Sequence, residues 1–333
     1  MKEEQIRPAR LFDRYLEIAL EDARELLAEA TEFDEVACPA CTAAGVTERF
    51  DRHGFQYRCC AECQSLYLSP RPSAAQLDQF YSMSKAVAYF ATHFYKETED
   101  ARRRELVRPK AEMTAEWARR LEATGCLADV GSGYGTYLEE TRELGVFDDL
   151  LAVEPASRLA GVCRDKGFRV IEQPAEAIAE TVDASCCTCF EVLEHVHDPL
   201  RLLGALKRIV RPGGMVLFTT LTASGFDIVV LWRESKSVMP PSHLNLLSTG
   251  GLRRLVERAG LELVDLSTPG RLDVDILANA LRDRPELQVS RFARQILAAP
   301  EPVRRRFQQF LQDSELSSHV RIVARRPGGD PSA

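Results

Sequence analysis

The sequence contains no long apolar run and no excess of basic residues. None of its apolar stretches approaches the ~18 residues of a membrane-spanning helix. The charged first residues, Met-Lys-Glu-Glu-Gln-Ile-Arg, leave no apolar segment of the kind that a secretory signal needs. The net charge of −7 and the pI of about 5.6 argue against nucleic acid as the main partner. We therefore expect a cytoplasmic protein with no membrane partner, whose ten cysteines are thiols or metal ligands rather than disulfides.

The most informative stretch is 127–135, in which short apolar residues lead to Asp129 and then to Gly131, Gly133 and Gly135. This pattern predicts a buried strand, a tight turn and the start of a helix. Glycines let the backbone approach a ligand closely, and a helix start offers unpaired N–H groups. The third glycine comes one residue too early for a dinucleotide fingerprint. A carboxylate at Asp129 would repel a pyrophosphate but suits a ligand that carries positive charge, although a plain tight turn would also explain the glycines.

The following chain continues the pattern of strands and helices. Residues 150–154 read as a second strand that ends in Glu154, an acid placed to accept two hydrogen bonds from a ribose diol. Residues 183–190 read as a later strand, followed by Glu-Val-Leu-Glu-His-Val-His-Asp-Pro, in which Asp198 is a good helix N-cap. That helix is predicted to end at Arg-Pro-Gly-Gly (211–214), before another strand.

These four motifs, in this order, resemble those of class I S-adenosylmethionine-dependent methyltransferases over roughly residues 105–270. The glycine turn is similar to their [D/E]-x-G-x-G-x-G motif. The E-V-L-E-H-V-x-D-P and R-P-G-G stretches look like those of small-molecule enzymes, including ubiquinone-pathway O-methyltransferases. The resemblance implies an α/β fold, a Rossmann-like, doubly wound sheet of seven strands with an antiparallel last strand, and S-adenosylmethionine as cofactor. The cofactor-binding residues that it implies are Asp129, Gly131, Gly133, Gly135, Glu154, Glu176, Phe190 and Tyr81.

Two C-x-x-C pairs precede this region. Cys38 and Cys41 are separated from Cys60 and Cys63 by 18 residues, a spacing typical of a zinc ribbon. Four thiolates make a closed tetrahedral site, so the predicted zinc is structural; a redox disulfide is the competing interpretation. Cys59 falls outside the C-x-x-C register and is expected to be a bystander. With the Y-L-x-P-R-P that follows, the module resembles the N-terminal zinc ribbon of bacterial methyltransferases, whose relatives act on nucleotide-linked sugars and other secondary metabolites.

The remaining chain is predicted to add helices to these two units. Residues 9–30 have apolar side chains at near-helical spacing, which predicts a surface helix docked on the body or on a second copy of the chain in a homodimer. Residues 73–123 look helical, with a break at Pro109. The predicted divisions are an N-terminal helix (1–35), the zinc ribbon (36–72), a helical linker or lid (73–123), the cofactor-binding domain (124–270), a helical insertion with the last strand (271–326) and a disordered tail (327–333).

Two histidines are the candidate catalytic residues. If the methyl acceptor is a hydroxyl or an acidic carbon, a base must remove its proton near neutral pH, and histidine is suited to this. His195 follows the strand beside the glycine turn, and His243 lies in an irregular loop after the next strand. A structural hydrogen bond is the alternative role for His195. Glu191, Glu194 and His195 could instead bind Mg²⁺, as the similar motif of ubiquinone-pathway enzymes does.

The predicted function is in-line transfer of a methyl group from S-adenosylmethionine to a small-molecule acceptor, a nucleotide-sugar or a secondary metabolite. One alternative is an RNA methyltransferase that docks RNA on the zinc ribbon. Against it, residues 48–71 carry four arginines and three acids, which is no basic stripe. The other alternative is a non-catalytic partner protein that binds S-adenosylmethionine. The acids, the glycines and the loop histidine favour the enzyme.

Overall fold

The computed structural model describes residues 2–29 and 33–328. The strands are β1 Phe33–Asp34, β2 Val46–Arg52, β3 Phe55–Cys60, β4 Leu66–Leu68, β5 Arg71–Pro72, β6 Cys126–Val130, β7 Asp149–Val153, β8 Arg169–Ile171, β9 Ala184–Phe190, β10 Val210–Leu221, β11 Asn245–Leu246, β12 Glu262–Ser267 and β13 His319–Arg325. The α-helices are α1 Glu3–Ile6, α2 Ala9–Glu29, α3 Ala74–Met83, α4 Lys85–Tyr89, α5 Tyr95–Arg102, α6 Arg108–Arg120, α7 Thr136–Leu144, α8 Ser157–Asp165, α9 Pro199–Ile209, α10 Phe226–Leu231, α11 Thr249–Arg258, α12 Asp273–Asp283, α13 Arg291–Ala298 and α14 Glu301–Asp313.

The main sheet of the described chain has seven strands in the order β12-β13-β10-β9-β6-β7-β8. Strands β8, β7, β6, β9 and β10 pair in parallel, and β13 is antiparallel to both β10 and β12. Successive side chains of a strand point to opposite faces, so apolar residues of β6 enter two cores: Leu127 on one face, Ala128 and Val130 on the other. Both faces are buried, as expected for a parallel sheet. The predicted doubly wound, seven-stranded fold with an antiparallel last strand is confirmed.

The hairpin of β2, β3 and β4, together with the turn that precedes it, holds the four candidate zinc ligands and belongs to a second sheet. Its order is β11-β4-β3-β2, so a strand from the loop after β10 pairs with the hairpin. Asn245 lies opposite Tyr67, and Leu246 lies opposite Leu66. The hairpin is therefore built into the same body as the main sheet.

A long helical stretch precedes β6. Helix α5, a π-type turn at Arg103–Val107 and helix α6 follow one another without interruption, so the predicted break at Pro109 is wrong. Pro109 stands in the first turn of α6, next to the π-type turn, where its missing N–H is tolerated. Within the described residues, no helix combines the length and the apolar character required to cross a membrane. Most of the predicted disordered tail (329–333) lies outside the described residues.

Candidate active site

The glycine turn after β6 has the conformation that its sequence demands. Gly131, Gly133 and Gly135 have φ angles of +76°, +54° and +68°, a region that side chains disfavour. A Cβ atom at Gly131 would also lie 2.9 Å from the side chain of Val192. The backbone N–H of Gly133 donates to Glu154 Oε2 at 2.8 Å, so the acid at the end of β7 holds the turn in place.

Two buried acids flank this turn. Asp129 accepts a hydrogen bond from Thr188 Oγ1 at 2.7 Å, and Glu154 Oε1 accepts one from the backbone N–H of Ala156 at 3.0 Å. Burial raises the pKa of Asp129 to about 7, with the charge of Glu154 acting in the same direction, and burial also raises the pKa of Glu154. A positively charged ligand beside the turn would favour the ionised form of both carboxyl groups.

One cavity of about 630 Å³ opens beside the glycine turn. Seven of the predicted site residues line it: Asp129, Gly131, Gly133, Phe190, Tyr81, His195 and His243. The other three do not. Gly135 caps the start of α7, Glu154 supports the turn from behind, and Glu176 lies half-buried in a short 3₁₀ turn at 175–177. The structure thus brings both candidate bases to the same cavity as the glycine turn.

The two histidines lie side by side, with their ring centroids 5.0 Å apart. His195 Nδ1 lies 2.7 Å from the carbonyl oxygen of Ser242, and His243 Nδ1 lies 2.7 Å from that of Ser237. A carbonyl oxygen only accepts, so each Nδ1 carries a proton and each Nε2 is left as an acceptor. Burial lowers the pKa of both rings; His243, which also faces His195, is lowered to about 3. Both histidines are therefore neutral near pH 7.

The carboxylate of Glu191, directly after β9, is held by hydrogen bonds from three side chains. Glu191 Oε1 accepts hydrogen bonds from Thr219 Oγ1 at 2.6 Å, His319 Nε2 at 2.7 Å and Lys110 Nζ at 3.2 Å. Burial opposes the ionisation of Glu191, but His319 and Lys110 hold its pKa well below the usual range. Among the described residues, the group whose ligand atoms all lie within 4.8 Å of one another is the cysteine cluster, and Glu191, Glu194 and His195 are not drawn together in this way. Binding of Mg²⁺ by these three residues stays a prediction.

The four cysteines of the two C-x-x-C pairs converge. Their sulfur atoms all lie within 4.8 Å of one another, and the Cys38–Cys63 and Cys41–Cys60 sulfur pairs are 3.5 Å apart. Zinc–sulfur bonds of roughly 2.3 Å would place the sulfurs of a tetrahedral site roughly 3.8 Å apart, so the four thiols fit the metal. Cys59 lies outside the group and contacts Gln64.

An aromatic pair, Tyr95 and Tyr134, lies beside the glycine turn and was not predicted from the sequence. Tyr95 stacks on Tyr134 with ring centroids 4.8 Å apart, and its hydroxyl lies 2.7 Å from Thr136 Oγ1. Tyr134 stands between two of the glycines, a position that could have identified it. Tyr81 and Phe90, both within the predicted helical linker or lid (73–123), line the cavity, whereas Tyr89 stacks on His93.

A model of the "Methyltransferase domain" family matches residues 99–266, about half of the chain. The chain is 31% identical over 165 residues to the ubiquinone biosynthesis O-methyltransferase of Xanthomonas axonopodis pv. citri, a match that covers 44% of this chain and 67% of that protein. It is 36% identical over 104 residues to the Methylococcus capsulatus protein of the same name, covering 29% of this chain and 43% of the relative. A solved S-adenosylmethionine-dependent methyltransferase from Clostridium acetobutylicum superposes with a TM-score of 0.46 at 11% identity, covering 73% of this chain and 99% of the other. The chain belongs to the class I S-adenosylmethionine-dependent methyltransferases.

Proposed function

We propose that the protein transfers the methyl group of S-adenosylmethionine to a small-molecule acceptor, with His195 or His243 as general base. The observation that carries this proposal is the placement of two neutral histidines, each with its Nδ1–H donated to a backbone carbonyl, in the cavity that also holds Asp129 and the glycine turn. Nucleotide-sugars and other secondary metabolites are the acceptor classes that we favour.

The site residues divide into a cofactor side and an acceptor side. S-adenosylmethionine supplies an electrophilic methyl group when it is bound. Asp129 and the turn at 131–135 would receive it, and Glu154 keeps that turn in shape. His195 Nε2 or His243 Nε2 would take the proton that the acceptor loses as its oxygen, nitrogen or carbon attacks the methyl group. Tyr95 and Tyr134 stack beside the turn and would form one side of the cofactor site.

We propose further that Cys38, Cys41, Cys60 and Cys63 bind a structural zinc ion. The sulfur separations support it, and the strand pairing between β4 and β11 links the zinc module to the chain segment that carries His243. Zinc would thus order one wall of the acceptor side without taking part in the reaction.

The dimensions of the cavity favour a small acceptor over RNA. Its volume of about 630 Å³ is in the range of small-molecule sites, and residues of the N-terminal helices, such as Phe12 and Tyr15, form part of its wall. An RNA base would have to enter past these helices while the rest of the RNA found a basic surface.

Incubation of the protein with methyl-labelled S-adenosylmethionine tests the proposal. Pools of nucleotide-sugars, of phenolic metabolites and of RNA would each be supplied in turn. We expect label in a small molecule, and no label when both His195 and His243 are replaced by Gln. Label in RNA alone would support the RNA methyltransferase instead. Cofactor binding without transfer to any pool would support a non-catalytic partner protein.

A further inference from the structure

Two guanidinium groups in the cavity have no carboxylate partner. Arg7, between α1 and α2, and Arg102, at the end of α5, both line the cavity and are half-buried. Within residues 2–29 and 33–328, neither has an acidic side chain within 4 Å. The other basic residues of the lining each have such a partner at 2.9–3.3 Å: Lys110, Lys236, Arg282 and Arg284.

Aromatic rings hold both guanidinium groups. Arg7 Cζ lies 5.5 Å from the ring centroid of Phe12, and Arg102 Cζ lies 5.7 Å from that of Phe90. A cation–π contact uses none of the N–H donors of a guanidinium, which stay available to other acceptors. Only one such N–H has a partner in the described chain, the contact of Arg102 Nη1 with the carbonyl oxygen of Ile6 at 3.4 Å. Most of the donors of this pair are therefore available to a ligand.

The two arginines act on the same region of the cavity. Burial lowers the pKa of Arg102 to about 10, and the charge of Arg7 acts in the same direction. The charge of Arg7 also contributes to the low pKa of His243, after burial and the neighbouring His195. Neither guanidinium hydrogen-bonds to the glycine turn. Arg102 Nη1 contacts the carbonyl oxygen of Ile6, the residue before Arg7, so both side chains lie in the part of the cavity beside the N-terminal helices.

Two neighbouring like charges, neither hydrogen-bonded to a carboxylate, are unfavourable in a partly dry cavity, and an anion that binds both would relieve this cost. A cationic methyl donor in the same cavity would add to the repulsion. We propose that Arg7 and Arg102 bind an anionic group of the methyl acceptor, a phosphate or a carboxylate. This assignment deepens the proposed function and rests on it: an acceptor that carries such a group would be placed by the arginines beside the histidines.

Isothermal titration calorimetry of the full chain, saturated with S-adenosylhomocysteine, tests the proposal. The probes are inorganic pyrophosphate, uridine diphosphate and malonate. We expect at least one probe to bind, with an affinity that falls at higher salt and falls roughly tenfold or more in Arg7→Gln or Arg102→Gln, because each loses a charge-assisted hydrogen-bonding group. Binding of pyrophosphate and uridine diphosphate would assign the site to a phosphate, and binding of malonate alone would assign it to a carboxylate.

Two neighbours supply matched controls. Arg10, exposed and paired with Glu97, and Arg104, exposed and paired with Glu105, are outside the cavity lining. Arg10→Gln and Arg104→Gln remove the same charge and should leave probe binding within about twofold of wild type. Arg7→Lys and Arg102→Lys keep the charge and should retain part of the binding even if a glutamine variant folds poorly.

Three results would overturn the assignment. The first is that none of the three probes binds. The second is that the cavity variants and the control variants lose probe affinity equally. The third is that Arg102→Gln no longer binds S-adenosylhomocysteine but still binds the probes. The last result would assign that guanidinium to the cofactor. Wild-type protein that binds S-adenosylhomocysteine but no anion would leave the proposed methyl transfer standing. Wild-type protein that does not bind S-adenosylhomocysteine would refute the proposed function itself.

Discussion

Asn245 accepts a hydrogen bond from Arg71 at 3.1 Å, between two side chains that are both fully buried. The amide group of Asn245 donates to the carbonyl oxygens of Leu193 and Val196, at 3.2 and 2.7 Å. Arg71 also donates to the carbonyl oxygen of His197 at 2.8 Å. These contacts join the end of the cysteine hairpin to the turn that carries His195.

Replacing Asn245 with Ala should therefore destabilise the protein and slow its reaction. The buried guanidinium of Arg71 loses an acceptor and two backbone carbonyls lose a donor, which we expect to lower the free energy of unfolding by roughly 3 kcal/mol. Chemical denaturation measures this loss. Arg49→Ala, at an exposed position of the same sheet, should change stability by less than about 0.5 kcal/mol. Equal effects of the two substitutions would contradict the role of Asn245.

The cysteine cluster predicts one zinc ion per chain. Elemental analysis of protein purified without chelator should show close to that ratio, and Cys60→Ser should abolish it because metal binding is coupled to folding of the hairpin. Activity should fall with the metal, since β4 pairs with β11 next to His243. Cys59→Ser, outside the cluster, should keep both metal and activity. Metal-free protein that is folded and active would rule out this role for the cysteines.

Cofactor affinity should depend on Glu154. Glu154→Ala removes the carboxylate that accepts hydrogen bonds from the N–H groups of Gly133 and Ala156, and with it any hydrogen bonds to a ribose. A hydrogen bond to a charged group is worth roughly 1.5–3 kcal/mol. Calorimetry should show binding of S-adenosylhomocysteine weakened at least tenfold. Glu172→Ala, at an exposed glutamate directly after the end of β8 in the same sheet, is the control and should bind normally. Unchanged affinity in Glu154→Ala would mean that the turn does not receive the cofactor.

The reaction rate should depend on one of the two histidines. His→Gln at the base should lower the turnover rate by roughly 10²–10⁴-fold while cofactor binding stays nearly intact. Since burial lowers the pKa of His195, the base is neutral at pH 7, and the wild-type rate should fall only as the pH drops below about 6.5. Loss of both binding and rate in His195→Gln would indicate a structural role. A flat profile with both single variants active would exclude acid–base catalysis.

His243 also predicts how stability changes with pH. Its folded pKa is about 3, below the unfolded value near 6.5, so the unfolded chain binds the extra proton first as the pH falls. The contribution of His243 to the free energy of unfolding is complete above pH 6.5 and is lost as the pH falls toward 3. Between these limits, the free energy of unfolding of the wild type should fall by about 1.4 kcal/mol more than that of His243→Gln for each unit by which the pH is lowered. Parallel denaturation series at pH 7, 6 and 5 would check the difference, and identical slopes would contradict the low pKa.

Local patterns in the sequence predicted most of the fold and the cofactor side of the site. The glycine turn, the acids at the ends of two strands and the C-x-x-C spacing depend on contacts between residues near one another in the chain. A turn with positive φ angles favours glycine. Two thiolates of one turn can bind the same metal ion when they have the C-x-x-C spacing. The doubly wound, seven-stranded sheet with its antiparallel last strand also followed, because the motifs in their order resemble those of a known family.

The sequence by itself therefore determined the elements, the glycine turn and the candidate metal ligands. The tertiary structure decided which distant residues share the cavity. The pairing of β4 with β11, the approach of His195 to His243, and the contact of Arg102 with the backbone beside Arg7 all join segments far apart in the chain. No periodicity reports such contacts, because they arise from packing of complete helices and strands rather than from the conformational preferences of neighbouring residues.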